Sequence, residues 1–488
     1  MNVLKGLEPA SVFRFFEEIC GIPHGSGDTK RISDYCVQFA KERGLEYRQD
    51  EFNNVIIRKQ GTSGYENAAP VMLQGHIDMV CEKEAGCDID FAKDGLRLRL
   101  ENGIVTADGT TLGGDDGIAA AYMLAILDSE TIPHPPLECV FTVDEEIGML
   151  GAAAMDMSDL KSRIMLNIDS EDEGFLLVSC AGGMTARCIL PVERTGAGKG
   201  AGDAAGARAV VKVTGCMGGH SGTEINKGRA NASIVLGEVL EALRKEIPFR
   251  LVSVNGGLKD NAIPREAAAE LVFADDAGAA GKIAALSDDL QKRFADTDPG
   301  IRIEYTAVPA GQSFGPMTEE STERVIRALK SLPNGVQKMS ADIEGLVQTS
   351  LNLGIMKTEE SRVSFAFSVR SSVEEEKQAL RKELEKVTTA LGGTVEVQGE
   401  YPAWEYRKES PLRDLMVEVY TEQYGSAPVV QAIHAGVECG LFSGHLPGLD
   451  CVSFGPDMKD IHTPKESMDT ESVRRTWEYL LEILRRLK

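Results

Sequence analysis

The sequence predicts an α/β protein in which a mostly parallel sheet flanked by helices is interrupted by an inserted α+β domain. Three observations predict it. Strand and helix signals alternate through roughly the first third of the chain. The apolar runs there, such as Val71-Met72-Leu73, Cys139-Val140-Phe141 and Ile164-Met165-Leu166, are continuous, as in strands covered on both faces. A middle block of different pattern then separates this region from a final stretch of the same α/β character.

Taken in order, a helix is expected up to about residue 20 and a second over about 29–43, followed by short strands near 54–58 and 70–74. A helix over about 116–128 precedes strands at 138–143 and 164–168. The expected boundaries are 1–184 for the first part of the main domain, 185–400 for the insertion and 401–488 for the second part. The insertion carries long helices at about 226–246 and 372–391, and the chain ends on an amphipathic helix over about 471–487. Residues 195–208, TGAGKGAGDAAGAR, superficially resemble a phosphate-binding loop. Gly200 rather than Ser or Thr follows Lys199, and no apolar helix comes next, so a flexible hairpin loop is expected instead.

The 488 residues hold 52 Lys and Arg against 76 Asp and Glu, a net charge of −24. That sign repels phosphate, so neither a nucleic acid nor an anionic membrane is expected as partner, and cations are the more natural guests. Hydrophobic residues at 42% and charged residues at 26% are those of an ordinary soluble globular protein. The N-terminal segment lacks the apolar core and cleavage site of a secretory signal, and no stretch approaches the ~18–20 apolar residues of a membrane span. Ten cysteines are scattered without a C-x-x-C pair, which argues against a zinc ribbon or a disulfide scaffold and fits a reducing, cytoplasmic setting.

Candidate chemistry gathers after the apolar runs. His76 ends one of them, with Asp78 two positions on; in an extended chain both side chains share a face, so Asp78 can hold the imidazole in the tautomer that offers its other nitrogen to a metal. Taken alone, such a pair is more often a plain structural hydrogen bond. Asp115 and Asp116 follow Gly113 and Gly114 at a helix start, where carboxylates are often caps; the glycines favour close approach to a ligand at Asp115. Glu145 and Glu146 lie at the end of the 138–143 strand, where neighbours point opposite ways, one to a metal and one to a cavity as a base, unless the run is only a solvated turn. Asp169 ends another apolar strand, and His462 adds an imidazole from the far end of the chain. Ligand groups at several strand ends are the pattern of sites in open α/β sheets. His76, Asp115, Glu146, Asp169 and His462 supply two imidazoles and three carboxylates; if Asp115 bridges, each of two ions receives one His, one terminal carboxylate and the shared one. Such N/O ligation suits zinc, with manganese or cobalt as alternatives.

The motifs GHIDMV, GGDDGIA, DEEIGMLGA, NIDSE, GGHSG, NAIPREA, HAGVECG and SFGPDMKDIHTPKE occur in one order from about residue 76 to 466. Together they resemble the di-zinc metallopeptidases, and most closely the aminoacyl-histidine dipeptidases of the PepD type. The resemblance implies that His76, Asp115 and Asp169 hold one zinc, that Asp115, Glu146 and His462 hold the other, that Asp78 orients His76, and that Glu145 is the general base. It further implies that the insertion is a lid with dimer contacts, that His220 reaches the active site from this lid to stabilise an oxyanion, and that Asn261 and Arg370 contact substrate, Arg370 through a peptide carboxylate. His434 and Glu438 match a family motif without an assignable role. The implied activity is hydrolysis of dipeptides, including Xaa-His types such as carnosine. Alternatives are a broader aminopeptidase or tripeptidase, an N-acyl amino acid deacylase, and a silent assembly protein; the last would be marked by a missing ligand or base, and none is missing.

Overall fold

The computed structural model describes residues 3–195, 206–309 and 314–488, so most of the Gly/Ala-rich stretch at 195–208 lies outside the described residues. The chain divides into two compact units. The first comprises Met1–Cys180, Trp404–Ala432 and Val437–Lys488; the second comprises Ala181–Ala403 and Ile433–Gly436.

In the first unit, α1 (Ala10–Cys20) and α2 (Lys30–Glu42) precede β1 (Glu46–Gln49), β2 (Val55–Lys59) and β3 (Val71–His76). The ribbon β4 (Leu98–Glu101) and β5 (Ile104–Ala107) leads to α3 (Gly114–Asp128), then β6 (Leu137–Thr142), β7 (Ile164–Asn167) and β8 (Phe175–Cys180). Strands over Asp450–Ser453 and Val429–Ile433 complete an eight-stranded sheet in the order β1, β2, β6, β3, β7, 450–453, β8, 429–433. Parallel pairing joins the four central strands β6, β3, β7 and 450–453, while β1, β2 and β8 attach antiparallel. Every residue of β3 and β6 is buried, which is why the runs Val71-Met72-Leu73 and Cys139-Val140-Phe141 within them are continuously apolar. The helix α3 is buried from Gly114 to Leu127 and, past Asp115 and Asp116, is apolar on all sides, as a helix enclosed by its neighbours must be. Its Tyr122 hydroxyl donates to the Val473 carbonyl at 2.8 Å, tying it to the C-terminal helix Thr470–Arg486.

Because β3, β6, β7 and 450–453 run the same way, their carboxyl ends share one edge of the sheet. The chain passes from β3 through α3 to β6 on one side of β3, then crosses to β7 on the other. That reversal of strand order opens a crevice at the shared edge.

The second unit is built on a nine-stranded sheet, antiparallel throughout its described pairings, with helices Ala232–Arg244, Ala279–Arg293, Glu319–Ser331 and Glu374–Ala390. One apolar core, including Phe249, Phe273, Phe365 and Phe367, lies in this unit. The helix expected over about 226–246 starts only at Ala232. Gly228 adopts φ +68°, which no helix continues through, and the Asn231 side chain then caps the new start by accepting from the Ser233 and Ile234 amides. Among the described residues no helix is long and apolar enough to cross a membrane.

Candidate metal centre

The shared strand edge of the first unit collects eight of the residues singled out in the sequence: His76, Asp78, Asp115, Asp116, Glu145, Glu146, Asp169 and His462. His76 is the last residue of β3 and is fully buried. Its Nδ1 faces the Asp78 backbone oxygen at 3.0 Å and Asp78 Oδ1 at 3.4 Å, leaving Nε2 directed at Asp115 Oδ1, 3.1 Å away. The other oxygen of Asp115 meets His462 Nε2, also at 3.1 Å. His462 Nε2 in turn lies 2.9 Å from Glu146 Oε2, and His76 Nε2 lies 4.0 Å from Asp169 Oδ1. Donor atoms of His76, Asp115 and Glu146 fall within 4.8 Å of one another, as do those of His76, Asp116 and Asp169.

Asp78 is held from three directions. Its Oδ1 accepts the Glu145 amide at 3.1 Å, and its Oδ2 accepts the Ser26 hydroxyl at 2.8 Å and the Glu146 amide at 3.4 Å. A carboxylate so fixed lies against the His76 ring and anchors the start of the turn that carries the two glutamates.

Two local expectations change. Glu145 and Glu146 do not extend the strand: β6 stops at Thr142, Asp144 takes φ +56°, and the Gly148 amide closes a turn on the Glu145 carbonyl at 2.8 Å. They therefore reach the site from a turn and not by strand alternation. Asp116 is not a helix cap. The cap position is Gly113, with no side-chain bond, and Asp116 Oδ2 instead accepts the His76 amide at 3.2 Å behind β3. Gly75 makes room for it, since a Cβ there would lie 2.4 Å from that oxygen. With its Oδ2 committed to backbone, Asp116 is a poorer bridging donor than Asp115, whose two oxygens each face a different imidazole.

The electrostatics are those of a cation site. Burial opposes charge on His76, yet Asp115, Asp78 and Asp169 push its pKa well up; His462 is pushed up to about 10 by its hydrogen bonds to Asp115 and Glu146. Burial likewise opposes ionisation of Asp115, but the two imidazoles hold its carboxyl low. Glu145 is pushed up to about 8, chiefly by burial, with His76 opposing and Glu438, Glu146 and Asp115 adding to the rise. Glu146 Oε1 is buried without a hydrogen-bond partner. Protons on the imidazoles thus offset negative charge that divalent cations would otherwise neutralise, and the two-nitrogen, three-carboxylate donor set fits two borderline ions.

His220, Asn261 and Arg370 lie in the second unit and form a cluster of their own. Gly219 and His220 pair with Ile263 and Ala262, and the Ser221 amide donates to the Asn261 carbonyl at 2.9 Å, so the His220 and Asn261 loops run together. Arg370 is 7% exposed; its Nη1 donates to the Tyr401 hydroxyl at 3.2 Å, while Nε has no partner. Ser350, opposite Arg370 in the strand pairing, meets His434 Nε2 at 2.7 Å.

Two buried acids complete the surroundings: Glu438, which the sequence left without a role, and Glu466, which sequence reading missed. Glu438 Oε2 accepts from Gln74 and Thr142 at 2.5 and 2.6 Å beneath the His76 strand end. Glu466, 3% exposed, accepts backbone amides at the start of α3. The signal for the second was present: a helix beginning on two glycines has no cap of its own.

An α/β unit with buried imidazoles and carboxylates converging at the carboxyl edge of its parallel strands defines the class of metal-dependent hydrolases. The comparisons with known proteins narrow it. The model of peptidase family M20/M25/M40 matches residues 72–486. The chain is 36% identical to the cytosol non-specific dipeptidase of Escherichia coli K12, over 100% of this chain and 99% of that protein. The crystal structure of aminoacylhistidine dipeptidase from Vibrio alginolyticus superimposes with a TM-score of 0.91 at 36% identity, covering 99% of this chain and 97% of that one. The aminopeptidase PepT of Bacillus cereus, at 16% identity and a TM-score of 0.55 over 99% of both chains, shares the fold. The chain belongs to peptidase family M20/M25/M40 and is a hydrolase of peptide bonds.

Proposed function

We propose that the protein is a dinuclear metallodipeptidase. The observation that carries this reading is the division of Asp115 between two imidazoles, His76 on one oxygen and His462 on the other. His76, Asp115 and Asp169 hold one ion, and Asp115, Glu146 and His462 the second. Zinc suits the donor set best, and manganese or cobalt also fits.

The ions, when bound, supply Lewis acidity, making a water more acidic and polarising the scissile carbonyl. Glu145 takes the proton of the attacking water and delivers it to the leaving amine. Burial leaves its carboxyl with a raised pKa, which cations nearby lower, so the group is ionised in the loaded enzyme yet basic enough to accept a proton. Asp78 fixes His76 through Nδ1 and the Glu145 turn through its amide, so base and ligand keep one geometry.

The substrate class is short peptides with a free carboxylate, including Xaa-His dipeptides such as carnosine. This part rests on the two relatives named as dipeptidases and on the second-unit cluster, where the buried, partly unpartnered Arg370 suits a carboxylate. His220, placed beside Asn261, is assigned to the oxyanion and Asn261 to substrate contact. A cytoplasmic location and a homodimer through the second unit complete the proposal.

The test is an assay of purified protein against dipeptides, tripeptides and N-acyl amino acids, with zinc, manganese or cobalt and with metal content measured. Two ions per chain and chelator-sensitive cleavage limited to dipeptides are expected. Preference for N-acyl substrates moves the activity to a deacylase, and cleavage of longer peptides to a tripeptidase or broader aminopeptidase.

A further inference from the structure

The segment Leu112 to Asp115 presents consecutive backbone N–H groups at the head of α3. At most helix starts such orphan donors are met by the side chain of the cap residue. Here Gly113, at φ +66°, has no side chain to offer, and Asp115 and Asp116 depart from helical torsions before the regular part of α3, so the turn needs an acceptor from elsewhere. The acceptor comes from the far end of the chain. Glu466 Oε2 accepts from the Leu112 and Gly113 amides at 2.8 and 3.2 Å, and Oε1 accepts from the Gly114 and Asp115 amides at 2.8 and 3.4 Å. Gly114 leaves room for this approach, because a Cβ there would lie 3.3 Å from Oε1 and 3.1 Å from Met458 Sδ. A negative charge also suits a helix N-terminus.

Glu466 stands four residues after His462 in the same hairpin loop, between the paired strands Met458–Lys459 and Ser467–Asp469. The Glu466 amide donates to the Thr463 carbonyl at 3.1 Å, which stiffens the connection. One loop thus carries both the imidazole that faces Asp115 Oδ2 and the carboxylate that holds the backbone of Asp115.

We propose that Glu466 is a positioning residue for the second ion: by clamping the amides of the 112–115 turn it sets the distance between Asp115 and His462, the two ligands its own loop brings together. The inference rests on the dinuclear reading above. A carboxylate is required because all four partners are donors. The amide of Gln keeps the size but turns an NH2 toward two of those N–H groups, whereas Asp keeps the charge and falls short by one methylene.

The test uses full-length metal-free protein titrated with zinc against a competing chelator, together with cobalt loading followed by visible absorption. Glu466→Gln should weaken one of the two ions about 10- to 100-fold, the scale for loss of a residue that orients a ligand. The other ion, which shares Asp115 but not His462, should lose clearly less affinity, and the cobalt spectrum of the loaded variant should change. Glu466→Asp should recover part of the loss. Gly114→Ala, which crowds Oε1 from the other side, should weaken the same ion. If Glu466→Gln does not fold, Glu466→Asp and Gly114→Ala carry the test. Unchanged affinities and spectrum overturn the proposal. So does an equal loss for both ions that tracks a fall in the melting temperature of the metal-free protein, which would make Glu466 a brace of α3 only. A parent protein that takes up fewer than two ions instead sinks the dinuclear reading, and this inference with it.

Discussion

Asp78 and Glu145 are joined through the backbone: Asp78 Oδ1 accepts the Glu145 amide at 3.1 Å while facing His76 Nδ1 at 3.4 Å. One carboxylate oxygen therefore touches both the imidazole of the proposed ligand His76 and the turn that carries the proposed base. Replacing Asp78 by Asn puts an amide where two donors converge, so both should drift. Asp78→Asn is expected to lower metal affinity about 10- to 100-fold and to lower kcat even at saturating metal. Chelator competition and steady-state kinetics check this; a variant whose kcat recovers fully with added metal would limit Asp78 to ligand orientation.

Glu145 touches none of the imidazoles by hydrogen bond, unlike Glu146. Glu145→Gln should therefore leave metal content at the parent value while kcat falls about 10²- to 10⁴-fold, the range for loss of a general base. Metal analysis alongside turnover distinguishes this from loss of a ligand. Dipeptide hydrolysis at the parental rate would remove Glu145 from the chemistry.

Proton release should accompany metal loading. In the metal-free protein His462 is pushed up to about 10 by Asp115 and Glu146, and His76 is raised by its carboxylate neighbours against the effect of burial. His462 is then expected to be charged at pH 7, and a proton held at the nitrogen that meets the cation must leave before either imidazole binds. Titration calorimetry with zinc in buffers of different ionisation enthalpy should show net release at pH 7, reduced by about one proton in His462→Ala. Apparent affinity should rise with pH. A buffer-independent heat would mean that the imidazoles are already neutral.

The parts of the fold and site legible in the sequence are those governed by local pattern. The continuous apolar runs of β3 and β6 follow from burial on both faces, and the His76–Asp78 spacing follows from the two-residue repeat of an extended chain. Features set by backbone torsion or by distant partners were hidden. The positive φ of Asp144 turns Glu145 and Glu146 away from the strand path, and Gly228 with the Asn231 cap delays a helix that apolar periodicity alone would start earlier. For Glu466 the two glycines opening α3 signal a missing cap, but not which residue supplies it, because Glu466 lies about 350 residues from 112–115 and side chain-to-backbone bonds leave no periodic trace.

His434 gives the second unit a distinct pH response. It is 5% exposed, its Nε2 meets Ser350 Oγ at 2.7 Å, and its Nδ1 has no partner. Burial first, then the charge of Arg370 and the nearby His220, lowers its pKa to about 3. The unfolded chain would bind that proton near the ordinary histidine value of about 6.5, whereas the folded protein refuses it. The stabilisation is thus fully present above about pH 6.5 and is lost as pH falls toward 3, with a limiting slope of about 1.4 kcal/mol per pH unit. Melting temperatures of metal-free protein at pH 7, 6 and 5 should therefore fall more steeply for the parent than for His434→Gln, which can retain a hydrogen bond to Ser350 but cannot titrate. Parallel curves for the two proteins would show that the site accommodates an imidazolium and that Arg370 does not repel it.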